Sequence, residues 1–331
     1  MKWRPCFLFV AIILAFFIIK PNGDAKAEDS KSDASERMLL YKKMEALTQI
    51  KWYYFAAVDQ YERNIRRFNK KIPEAKGKIA IYYSPDEWAG PMNPNKDDDN
   101  PVSINWFGGV GKDGNGDGKA DRNDDEDVLY TFASHLQQYG SHEDDIKIGL
   151  WDYYKRDLAV RIILGHAKVY KQFHTLDLNE HAFPLPLHAN YTIKNSWGAR
   201  RGWGGLRIHE GSDIFADYGV PVRATTYGIV EIIGWNRFGG WRVGIRDLNN
   251  TYHYFAHLSR FEEGIEKNSI VKPGDTIGYV GSSGYGPKGT AGKFPPHLHY
   301  GMYHYTGTRE WSFDPYPKLK AWEREERKKK D

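Results

Sequence analysis

The chain has 331 residues, 40% apolar, 27% charged and 15% aromatic, with 47 Lys and Arg against 43 Asp and Glu and a net charge of +4. That length supports two ordinary domains, each with its own core, and the composition excludes a wholly disordered chain. No basic stripe is interleaved with aromatics, so no nucleic-acid partner is expected, whereas the mild basic excess favours an anionic polymer.

Residues 1–27 read as an export signal: Lys2 and Arg4 carry positive charge, Phe7 to Ile19 is an apolar run, and Ala25-Lys26-Ala27 is a small-x-small cleavage signature. The run is short for a spanning helix, which needs about 20 residues. Cleavage after Ala27 is therefore preferred over a retained anchor, and no stable membrane insertion is expected once the signal is removed. Cys6, the only cysteine, lies within it, so the mature chain has neither a disulfide nor a thiol nucleophile. Residues 28–38, EDSKSDASERM, read as a polar linker.

Leu47, Ile50, Tyr54, Val58, Tyr61, Ile65 and Phe68 recur at helical spacing and predict one long or two short helices over about 39–70. Residues 85–124 are rich in Pro, Gly, Asn and Asp and predict a long irregular segment. Helical stripes return at 125–139 and 146–174, so the first domain, 39–178, is expected to be mainly helical. The prolines of LDLNEHAFPLPLHAN stop any helix and mark a boundary. VPVRATTYGIVEIIGW, WRVGIRDL, TYHYFAHL, DTIGYVG and HLHYGMY then predict an antiparallel sheet domain over 182–317. The tail, 318–331, reads as a solvated charged end. The fold class is α+β in two domains.

In the helical domain, DGNGDGKADRND at 113–124 matches the start of a twelve-residue calcium loop. Asp113, Asn115 and Asp117 offer oxygens, Gly118 permits the sharp turn, Lys119 offers its carbonyl, and Asp121 and Asp124 complete the set. The alternative is an acidic turn in which Asp124 or Asp125 caps the following helix. WAGPMNP and SINWFGGVGKDGNGDGKADRNDDEDVLYTFASHLQQYG together resemble the lysozyme-like fold of bacterial lytic transglycosylases. Enzymes of that kind cleave glycan strands with one protonated glutamate. At the matching place, AAVDQYERN, this chain carries Asp59, one methylene shorter, with Glu62 as its neighbour. Withdrawing the acid in this way damages a position-dependent reaction, so a domain that binds glycan or supports its neighbour is expected.

In the sheet domain His209, Asp213, His257, His297 and His299 stand out. His297 and His299 are two apart on a strand and share a face. His209 and Asp213 flank a Gly-Ser turn that can fold an imidazole and a carboxylate onto one metal. Two imidazoles and one carboxylate leave the fourth tetrahedral position open, as in a catalytic zinc site. The bland reading of each residue stands beside this: a strand histidine bonded to backbone, and Asp213 capping a turn. His253 would share the face of His257 on a regular strand, and spacing alone does not choose between them. His304 reads as a surface residue.

From FPLP to HLHYGMY the motifs H-x-x-x-D, PVRATTYGIVEIIGW, YFAHLS, VKPGDTIGYVGSSG and HLHY resemble, in order and spacing, the LytM and lysostaphin type of zinc peptidoglycan endopeptidase. The resemblance implies zinc on His209, Asp213 and His299, with His257, chosen over His253, and His297 as the unliganded catalytic pair. It also implies a zinc-activated water attacking the scissile carbonyl, with the two imidazoles handling protons. The glycine-rich segment 281–294 is expected to form a lip over the cleft. The whole layout resembles that of the L-Ala-D-Glu endopeptidases of sporulating bacilli. This implies stem-peptide cleavage in the spore cortex, on the cell-wall side of the membrane and between the forespore membranes, with peptidoglycan as partner. The competing expectations are a binding or activator protein that keeps the fold without the chemistry, and a glycan hydrolase acting through the helical domain.

Overall fold

The computed structural model describes residues 22–202 and 207–329; the apolar run Phe7–Ile19 and most of the expected export signal lie outside them. Among the described residues no helix is long and apolar enough to cross a membrane. Residues 28–38, expected as a linker, instead lie within helix α1 (Asn22–Thr48). Their Ala, Glu, Lys and Arg content suits a helix, and one-turn pairs such as Arg37 Nε to Asp33 Oδ2 at 2.9 Å support it.

Gln49, at φ 65°, turns the chain out of α1 into α2 (Trp52–Arg66), which buries Trp52, Phe55, Val58 and Tyr61. The expected irregular stretch contains two short helices, α3 (Pro85–Ala89) and α4 (Pro101–Trp106). Ser84 and Asn100 cap them, and a proline stands at the first helical position of each, where its missing N–H costs nothing. Helix α5 (Asp125–Gln137) follows, then α6 (Glu143–Tyr154) and α7 (Asp157–Phe173), separated by Lys155 in the left-handed region at φ 48°. Tyr41, Phe55, Tyr61, Trp88, Phe132 and Ile163 build one core, and Leu248 and Tyr305 from the second domain complete it.

The second domain opens with β1 (Tyr191–Lys194), β2 (Arg200–Arg201), β3 (Arg207–Ile208) and β4 (Ser212–Ala216). It continues with β5 (Pro221–Arg223), β6 (Gly228–Asn236), β7 (Gly240–Asp247) and β8 (Thr251–Phe261). The last strands are β9 (Ile270–Val271), β10 (Thr276–Val280), β11 (His297–Tyr305) and β12 (Glu310–Phe313). The main sheet runs β1-β4-β11-β8-β7-β6-β9, with β12 on β11 and β10 joining β5 to β8, and its pairings are antiparallel. Phe183, Ile214, Val243, Phe255, Leu298 and Tyr300 fill its core face.

The tail is not a solvated end. It forms α8 (Tyr316–Lys328), whose Leu319 and Trp322 are buried in the sheet core while its charged residues, buried Glu323 excepted, lie nearer the surface. Glu326 pairs with Arg223 at 2.9 Å, and Glu323 accepts from Tyr191 Oη at 2.7 Å. His304 is also more enclosed than a surface residue: its ring stacks on Phe313 at 3.8 Å and lies 5.4 Å from Phe68 of the helical domain. Between the domains, Asn64 donates to the Leu248 carbonyl at 2.8 Å and His166 Nε2 to the Asp247 carbonyl at 3.0 Å.

Candidate metal centre

Strands β4, β11 and β8 lie side by side at the middle of the sheet, and their outward face carries the site. Asp213 on β4 stands directly opposite His299 on β11, so both side chains leave the sheet on one face. His209 lies just before β4, where its backbone pairs with Ala199. The three side chains converge: His209 Nε2 is 2.8 Å from His299 Nδ1, and Asp213 Oδ1 is 3.1 Å from each. Gly211 makes the close approach of this loop practicable. A Cβ there would fall 2.7 Å from both His299 Cε1 and the Tyr300 carbonyl oxygen.

The donor chemistry fits a metal ion. His209 Nδ1 lies 2.8 Å from the Ser196 carbonyl, which can only accept, so the proton sits on Nδ1 and Nε2 presents a lone pair. Donor atoms this close repel one another unless positive charge lies between them. A tetrahedral zinc with ligand bonds near 2.0–2.1 Å separates its donors by about 3.3 Å, close to the spacing found. Burial pushes the Asp213 carboxyl up, but the imidazoles of His209 and His299 beside it outweigh burial and hold the group far below the usual carboxylate range. Among the described residues this is the one cluster of three or more His, Cys, Asp or Glu side chains with donor atoms close enough to share an ion.

His257 and His297 complete the face. Their rings are 4.8 Å apart, and His297 Nε2 is 3.8 Å from Asp213 Oδ1. Each has its tautomer set by a backbone carbonyl: His257 Nδ1 donates to Ser283 O and His297 Nδ1 to Pro295 O, both at 2.8 Å. In each ring Nε2 is therefore the basic nitrogen. Burial, and then the positive charge of His297 and His299, push His257 well below 6.5, which keeps it neutral. Segment 281–294 lies against these rings: Tyr285 stacks near His257 at 6.0 Å and Phe294 meets it edge-on at 4.6 Å. A cleft of about 150 Å³ opens here, with Asn236, Phe238, Tyr254 and Tyr303 in its walls.

A bulge settles the choice between His253 and His257. Trp241 pairs with Leu258 and Val243 with Phe255, so β8 carries one residue more than β7 between them. Within the bulge His257 takes φ 64°, and its N–H donates to Gly239 O at 2.7 Å. The extra residue reverses the alternation, so His257 joins His299 on the outer face while His253 stays in the core. There His253 holds Asp247 Oδ2 at 3.1 Å and Tyr300 Oη at 2.7 Å. Residue spacing gave Gly211 as part of the turn between His209 and Asp213 but did not single out Ser196 or Ser283, because a carbonyl acceptor leaves little trace in residue type.

The calcium-loop residues are not assembled into a comparable cluster. Asp113 accepts from the amides of Gly116 and Gly118, Asn115 from Asp117, Asp117 from Lys119 and Asp121 from Asn123. Asp124 caps α5 through Glu126 and Asp127, the alternative considered for it. Buried Asp127 ties the loop by accepting from Gly114, Asn115 and Asp121. These oxygens are occupied with folding the loop, and the expected calcium site is not supported.

A sheet face presenting two imidazoles and a carboxylate to one point, beside two further imidazoles with basic Nε2 atoms, defines a metallopeptidase-type site. The model of peptidase family M23 matches residues 207–315. Over 323 residues, 98% of this chain and 99% of the relative, the sequence is 59% identical to an L-Ala–D-Glu endopeptidase of Bacillus subtilis (strain 168). It is 33% identical to lysostaphin of Staphylococcus staphylolyticus over 116 residues, 34% of this chain and 22% of that protein. Among solved structures, the catalytic domain of lysostaphin from Staphylococcus simulans is 29% identical, with 43% of this chain and 99% of that chain covered and a TM-score of 0.35. The chain belongs to peptidase family M23.

Proposed function

We propose that the chain is a zinc endopeptidase that hydrolyses stem peptides of bacterial peptidoglycan between L-Ala and D-Glu. The observation that carries this reading is the convergence of His209, Asp213 and His299 at 2.8–3.1 Å beside two tautomer-fixed imidazoles. The bond is suggested by the full-length likeness to the B. subtilis enzyme. Work on such a polymer places the chain outside the cytoplasmic membrane. The same likeness favours the spore cortex, between the forespore membranes. A binding protein without chemistry would have no need of the intact donor set.

His209, Asp213 and His299 would hold zinc, which when bound polarises the scissile carbonyl and makes water nucleophilic near neutral pH. Neutral His257 accepts the proton of the attacking water at Nε2 and returns it to the leaving amine. His297, whose ring lies 4.8 Å from that of His257, takes the role of bonding the developing oxyanion of the peptide. Ser283 and Pro295 hold both rings in the working tautomer, and Tyr254, Tyr285 and Tyr303 shape the peptide channel.

The test is digestion of purified wall by wild type and His299→Ala, with new amino termini read by mass spectrometry. Wild type should expose D-Glu termini, and the variant should be slower by roughly 100-fold or more. Equal rates would remove the metal from the mechanism, and termini on Gly or diaminopimelate would move the bond.

A further inference from the structure

The helical domain holds a buried acid that this peptidase chemistry does not use. Asp59, the candidate from the sequence, is consumed by structure: Tyr41 donates to it at 2.6 Å, Arg63 at 3.0 Å and Arg37 at 3.4 Å, and the Ala80 amide adds a further bond. Glu62, almost one turn further along α2, is placed differently. Its Oε1 accepts from Tyr154 Oη at 2.6 Å, and its side chain lines a groove of about 440 Å³. Tyr82, Tyr83 and Tyr153 wall that groove, and Glu87 and Asp152 lie along it. Burial raises the Glu62 carboxyl to about 7, against which the Tyr154 bond works. An acid that still carries its proton near neutral pH is suited to donate it.

The groove has the size of a small-ligand site, and tyrosines offer pyranose rings both flat apolar faces and hydroxyls. The polymer assigned to the peptidase site consists of stem peptides carried on glycan strands, and the inference rests on that reading for its substrate. We propose that this groove binds the glycan strand and that Glu62 protonates a glycosidic oxygen. The Glu62 proton passes to that oxygen, and the bond from oxygen to the anomeric carbon breaks with its electron pair remaining on the oxygen. Water then adds to the anomeric carbon, and the proton it sheds restores Glu62. Glu87 and Asp152 supply negative charge along the groove towards the cationic transition state.

The experiment uses the full chain and two substrates, glycan strands freed of stem peptides and intact wall. With His299→Ala, which disables the peptidase site, new saccharide ends should appear from bare glycan at the wild-type rate. Adding Glu62→Gln should reduce them at least 100-fold, and Glu62→Asp should lose the same activity by withdrawing the acid. Glu62→Gln alone should cut stem peptides within twofold of wild type and keep the parent melting transition, which separates lost chemistry from lost fold. Bare glycan left uncut by wild type, or cut equally by Glu62→Gln, would overturn the proposal. Stem-peptide cleavage scored on intact wall reports separately on the peptidase reading.

Discussion

His257 sits in the left-handed region at φ 64°, a conformation that costs a non-glycine residue of order 1–3 kcal/mol and persists only where the surroundings enforce it. Here the enforcement is a backbone bond to Gly239 and a side-chain bond to Ser283. The return is a neutral imidazole facing the cleft. His257→Ala should therefore lower kcat by roughly 10²–10⁴-fold while leaving metal content at the wild-type value. Single-turnover assays paired with elemental analysis check this, and a matching loss of metal would mean that His257 supports the ligands and not the proton transfer. The residue types of the centre were legible in the chain because metal chemistry demands imidazole and carboxylate. The side on which each residue falls was not. Parity along β8 depends on one extra residue that only its pairing with β7 reveals.

At the scale of elements, the two ends of the described chain behaved differently from their composition. EDSKSDASERM and EREERKKKD are both highly charged, and charge alone reads as linker or solvated tail. Residues 28–38 and 323–328 are helical, because Ala, Glu, Lys and Arg favour helix and a few apolar residues suffice to dock it. In α8 those residues are Leu319 and Trp322; the Trp322 ring lies 6.4 Å from Tyr300 and 5.0 Å, stacked, from His181. Trp322→Ala should destabilise the sheet domain by about 3–5 kcal/mol, measured by urea unfolding. No change would show that α8 rests on its ion pairs. The acidic loop is the converse case. Its spacing suggests a cation, but short Asp and Asn side chains also fold back onto nearby amides, and the structure shows that use.

Across the whole molecule, α7 packs against the sheet domain, with His166 buried at the junction and bonded to the Asp247 carbonyl. Burial pushes His166 from 6.5 down to about 4. The folded ring refuses a proton that the unfolded ring accepts, so its contribution is complete above about pH 6.5 and is lost as pH falls through about 4. Native stability should decline over that window by up to about 3 kcal/mol relative to His166→Gln, which keeps an N–H donor but does not titrate. Urea unfolding of both proteins from pH 7 to pH 4 checks it, and parallel profiles would remove His166 as the cause.

The helical and strand periodicities, the boundary near the prolines and the presence of metal-type ligands were all written locally, in residues a few positions apart. The joining of Asp213 to His299 across 86 residues, the turning of His257 to the outer face, the pairing of Asp59 with Arg37 and Arg63 and the placing of Glu62 along a groove depend on strand register and helix packing. Local patterns report which face of an element is apolar. They do not report which partner covers that face, and burial by a partner sets both the charge state and the reach of a side chain.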